Sequence, residues 1–110
     1  MGENGSRGQA SMEFIAEAKP GNFLVRGELT FATAASGLNQ AAALFAENPR
    51  VMRFDFAGVD RVDSSGVGLL IEWLRMARSC GCHLDFSNIP PALRAMIRVG
   101  GVEGILPVEG

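Results

Sequence analysis

The stretch that most constrains this chain is VMRFDFAGVDRVDSSGVGLLIEWLRMARSCG, residues 51–81, because its hydrophobic period changes part-way along. Met52, Phe54 and Phe56 alternate with Arg53 and Asp55, the two-residue period of a strand with one covered face, expected to end at Phe56 with AGVDRVD leading to the helix. From about Ser65 the period lengthens: Val67, Leu70, Ile71, Leu74 and Ala77 recur as one face of a helix that Gly81 can end. CHLDFSN then alternates again, with Cys82, Leu84 and Phe86 pointing inward.

The flanking segments extend the same pattern. MEFIAEA and FLVRGEL, joined through PGN, read as a hairpin. TFATAASGLNQAAALFAENP carries Leu38, Ala41, Ala42 and Phe45 on one helical face, with Thr33 as a cap and Pro49 as a stop. PPALRAMIRVGG opens with prolines, places Leu93, Met96 and Ile97 on one face and ends at paired glycines; GILPV is a last strand. The order β-β-α-β-α-β-α-β predicts an α/β domain: a mixed sheet, helices packed on one face, the other face partly solvated. At 110 residues there is room for one core, expected over 12–110. Residues 1–11 are polar and glycine-rich, and read as a disordered leader with Met12 as the natural start.

Composition excludes several function classes. Twelve acidic against ten basic residues, net −2, argue against a nucleic-acid surface. No apolar run approaches a membrane span and no signal core is present, so a cytoplasmic protein is expected. Cys80 and Cys82 are too close in sequence to staple a fold, and with His83 they make only three clustered ligands, a poor metal site. No cofactor motif appears.

The turn Asp63-Ser64-Ser65-Gly66 admits four readings: a helix cap, a nucleophile, a phosphate cradle, or a docking and phosphorylation point. Ser64 or Asp63 can cap the helix, for about 1 kcal/mol. A nucleophile needs a base, and the only histidine, His83, lies beyond the far end of the helix, roughly 20 Å away. DSSGVG lacks the lysine and glycine spacing of a P-loop. Capping leaves Gly66 and Gly68 unexplained, since a helical glycine costs up to about 1 kcal/mol. They predict close approach by a neighbouring backbone or by a partner. The helix is apolar over roughly 220°, wider than one sheet covers. Leu69, Met76 and Trp73 are therefore expected either under the flanking helices or as an exposed patch beside Ser64.

GEL, the alternating strand, VDSSGVGLL and IPPALRAMIRVGGVEGILPV together resemble a STAS domain across Phe14 to Val108. The resemblance implies a mixed sheet with helices on one side, no enzymatic activity, and a turn and following helix that dock onto a partner. Two branches of the family are similar. In anti-sigma factor antagonists the first serine of the turn, here Ser64, is phosphorylated by the partner kinase; the doubled serine matches that pattern. In the MlaB-like branch, the STAS subunit of a phospholipid-transport ABC complex, the hydroxyl residue docks on the cytoplasmic ATPase subunit. That branch is favoured by Thr30 and Phe31 after GEL where antagonists carry an aspartate, by Trp73 in LLIEWLRMA, and by the chain's end soon after the last strand. The resemblance thus implies an adaptor reaching the inner membrane only through its ATPase. Its expected contact set is Asp63, Ser64, Ser65, Gly66, Gly68, Leu69, Trp73 and Met76.

Overall fold

A computed structural model describes residues 9–102, 104, 106, 108 and 109. The expected leader therefore lies largely outside the described residues, although Ser11 already joins the sheet, accepting from the Glu28 N–H at 2.9 Å. Five strands form one sheet in sequence order: β1 (Met12–Ala16), β2 (Asn22–Leu29), β3 (Val51–Val62), β4 (His83–Ser87) and β5 (Val108–Glu109). The hairpin is as the sequence predicts, β1 antiparallel to β2 with Met12 opposite Gly27 and Ala16 opposite Phe23. The other pairings are parallel. The helices are α1 (Ala34–Phe45), preceded by a 3₁₀ turn at Phe31–Thr33, α2 (Ser65–Ser79) and α3 (Pro91–Val99). The crossovers β2–α1–β3, β3–α2–β4 and β4–α3–β5 all step the same way across the sheet, and crossovers of one hand then stack every helix on one face.

Met52, Phe54 and Phe56 from β3 and Leu84 and Phe86 from β4 are buried under the helices, as their alternation requires. Phe54 is the centre: its ring lies 4.7 Å from Phe14, 5.4 Å from Trp73 and 6.2 Å from Phe86. Aromatic pairs at such separations contribute about 0.5–1.5 kcal/mol beyond their buried area.

Three expectations are corrected. The strand expected to leave the sheet near Phe56 continues to Val62, still paired with Leu29, so the connection to α2 shrinks to Asp63 and Ser64. It can do so because β2 runs alongside with irregularities around Arg26 and Gly27. Gly27 takes φ +103°, and an added Cβ there would collide with the Ser11 carbonyl just before β1. In α1 the buried line is Gly37, Ala41 and Phe45, while Ala42 is exposed. On that line the Trp73 indole N–H donates to the Gly37 carbonyl at 3.1 Å, and Leu69 and Trp73 pack where a Gly37 side chain would stand. In GILPV the described Gly104 and Leu106 are not strand and Val108 pairs with Phe86 of β4, while Ile105 and Pro107 lie outside the described residues.

Candidate functional site

The parallel strands β2 and β3 end side by side at Leu29 and Val62, which brings the 3₁₀ turn and the head of α2 together at one edge. Asp63 joins them. Its backbone N–H donates to the Leu29 carbonyl at 3.2 Å. One carboxylate oxygen accepts from the Ser65 N–H at 2.8 Å and the other from the Phe31 N–H at 3.1 Å. Asp63 is therefore the residue that satisfies the helix head. The hydrogen bond from Phe31 is the main cause of a lowered Asp63 pKa, opposed by partial burial and helped by the Ser65 amide and hydroxyl.

This separates the two serines. Ser65 is half-buried and its backbone N–H is held by Asp63. Ser64 is exposed, its backbone is already helical at φ −63° and ψ −20°, and its side chain makes no cap hydrogen bond. A hydroxyl facing water at a helix N-terminus, with no structural duty, is left for something else. The two glycines separate in the same way. Gly66 is buried, and an added Cβ would lie 3.1 Å from the Leu29 carbonyl and 3.2 Å from Leu93 Cδ1, so its reason is internal packing. Gly68 is exposed with nothing within 4 Å of such a Cβ, so nothing inside the domain accounts for it. Ser64 and Gly68, four residues apart, share one face of the helix.

Of the two expectations for the apolar arc of α2, the structure shows cover by a flanking helix rather than a patch beside Ser64. Leu69 and Trp73 are 2% and 0% exposed, closed over by α1, whose Gly37 lets Leu69 pack against its backbone, and by the rings of Phe14, Phe54 and Phe56. Met76 is half-buried against the same core. None of the three forms an open surface beside Ser64. What borders Ser64 is a groove of about 600 Å³ between the first turn of α2 and α3, lined by Val67, Ala92, Ala95, Met96, Val99 and Gly100. Met96, expected on the core face of α3, is half-buried at this groove, and Val99 is 89% exposed. On the other side, Phe31 is 83% exposed beside Thr30, Arg61 and Asp63. Sequence reasoning missed Phe31 and Val99. The available signals were the odd Phe31 between threonines and the second apolar row on α3, Ala92, Ala95, Met96 and Val99, at helical spacing.

The cysteines and His83 lie at the opposite end of α2. Cys82 is buried, and its thiol pKa is raised, chiefly by desolvation. His83 Nε2 stands 3.2 Å from Asp85 Oδ1 on the outer side of β4, out of reach of Ser64. Among the described residues no three His, Cys, Asp or Glu side chains are grouped to hold a metal ion, and no helix is long and apolar enough to cross a membrane.

A family model described as "Mlab, STAS domain" matches residues 16–107. The chain belongs to this STAS domain family. No curated relative matches its sequence. Solved STAS structures share its fold. An anti-sigma factor antagonist from Mycobacterium paratuberculosis is 23% identical, with a TM-score of 0.69, over 88% of this chain and 84% of that one. The Bacillus cell fate determinant SpoIIAA in its phosphorylated form is 19% identical, with a TM-score of 0.62, over 90% and 91%. A sulfate transporter family protein from Wolinella succinogenes is 20% identical, with a TM-score of 0.65, over 84% and 80%. The mixed sheet with its helices on one side is thus that of a STAS domain, as the sequence implies.

Proposed function

We propose that this STAS domain is a non-catalytic cytoplasmic adaptor that docks on the ATPase subunit of an Mla-type phospholipid-transport ABC complex and stabilises it. In that role it would serve the lipid asymmetry of the outer membrane. The observation that carries the reading is the state of Ser64: an exposed hydroxyl free of the helix cap, on one face with Gly68, between exposed Phe31 and the apolar groove along α3. A polar group ringed by apolar area is the make-up of an interface centre. The family model's MlaB description favours the transporter branch. The single histidine, His83, stands at the far end of α2 beside Asp85, which favours binding over hydrolysis at Ser64.

A second reading has its own support. With Ser65 engaged by Asp63, Ser64 is the one serine of the turn open to a kinase, as an antagonist phosphorylated there requires. A phosphate would add about −1.5 to −2 charges. The helix N-terminus tolerates that charge, whereas the Asp63 carboxylate and an apolar partner surface oppose it.

Co-expression with the ATPase of the same host tests the first reading. Ser64→Arg is expected to abolish co-purification while the isolated domain melts as the wild type does; retained co-purification would remove the turn from the interface. Incubation with a cognate anti-sigma kinase and ATP tests the second, which requires one phosphate that Ser64→Ala lacks.

A further inference from the structure

We infer that Phe31 is a second anchor of the Ser64 surface, inserting into an apolar pocket of the transporter ATPase subunit that docks there, and that Asp63 is the positioning residue that holds it ready. This rests on the reading that Ser64 marks the docking surface.

Phe31 is 83% exposed, yet the backbone that carries it is held by hydrogen bonds before and after it. Its N–H donates to Asp63. Behind it, Thr33 Oγ1 accepts from the Thr30 N–H at 3.1 Å and itself donates toward the Glu28 carbonyl at 2.8 Å, and the Thr33 N–H donates to the Thr30 carbonyl at 3.0 Å. Thr30 and Thr33 are both buried. A lone exposed apolar side chain is ordinary. A phenylalanine on a turn held by a closed hydrogen-bond set is different, because little backbone freedom remains to be lost when a partner covers it. Aromatic rings presented in this way dominate interface energetics.

The link to Ser64 is covalently short and geometrically direct. The same carboxylate that receives Phe31 also receives Ser65, so the 3₁₀ turn and the head of α2 are tied through one side chain next to Ser64. A surface that meets Ser64 and Gly68 meets Phe31 with its placement already set. Arg61 and Glu28 beside Phe31 give the ring a charged rim, which suits an apolar pocket on a protein with polar edges.

The test measures affinity of the full chain for the co-expressed ATPase in four variants: Phe31→Ala, Asp63→Asn, the double variant, and Ser64→Arg. Phe31→Ala is expected to weaken binding about tenfold with an unchanged melting temperature. Asp63→Asn, whose amide offers one acceptor where the carboxylate offers two, is expected to weaken binding and speed hydrogen exchange at the Phe31 amide. In the Phe31→Ala background it should add little, since it acts through the ring. Equal losses in both backgrounds would overturn the positioning role. Binding within twofold for Phe31→Ala, with Ser64→Arg abolishing it, would overturn the anchor and leave the docking surface standing. Undiminished binding by Ser64→Arg would overturn the docking surface and the anchor with it.

Discussion

Asp63 accepts from two backbone N–H groups that belong to different elements, and this gives the domain a definite pH dependence. Its folded-state pKa lies below the ordinary carboxylate value of 3.8, so the charged form stabilises the fold. That contribution is fully present above the unfolded pKa and is lost as pH falls through the folded value. Asp63→Asn is therefore expected to lower stability by about 1 kcal/mol at pH 7, the usual worth of a cap. The difference from wild type should shrink below about pH 4, as measured by denaturant unfolding at a series of pH values. A difference that persists unchanged at low pH would show that the charge is not what Asp63 contributes. Ser64→Ala, by contrast, should change stability by less than about 0.5 kcal/mol, because the hydroxyl caps nothing. From sequence the cap could have been either residue. Side-chain reach decided it, since the strand runs to Val62 and leaves Asp63 facing both N–H groups.

The head of α2 holds two glycines with opposite reasons for being there, and substitution should separate them. Alanine at position 68 adds a methyl into open space and removes a helical glycine, so Gly68→Ala is expected to raise stability by up to about 1 kcal/mol. Alanine at position 66 meets the Leu29 carbonyl, which cannot yield as a side-chain tip can. Overpacking of about 1–3 kcal/mol then outweighs the propensity gain of about 1, and Gly66→Ala is expected to destabilise. Thermal melts of the two variants check both signs. The sequence pattern showed that two glycines needed explaining and could not say which was internal, because the answer lies in Leu29 and Leu93, far along the chain. The same holds for the apolar arc of α2. Its width was legible, but its cover was supplied by α1, turned so that Gly37 rather than Ala42 faces inward.

For the molecule as a whole, strand alternation and helix period carried the layered α/β architecture, since both depend on residues adjacent in sequence. The surface was harder to read, because exposure depends on what other elements cover. Leu69 and Trp73 were expected as candidate contacts and are core; Phe31 and Val99 were passed over and are open. Trp73, the single tryptophan, reports on this directly. Its emission is expected to be blue-shifted and insensitive to a soluble quencher in the folded domain, moving red only on unfolding. Red emission or ready quenching in the native state would place the indole at the surface. We propose that one edge of the domain, around Ser64, receives the partner, while the opposite end and the outer sheet face do not. Photo-cross-linking tests it most directly, with benzoylphenylalanine introduced at Gly68 or at Val51, an exposed residue at the far end of β3. In the co-expressed complex the probe at position 68 is expected to capture the ATPase subunit and the probe at position 51 to capture nothing. Capture from position 51 alone would place the partner at the far end of β3 and rule out docking at Ser64.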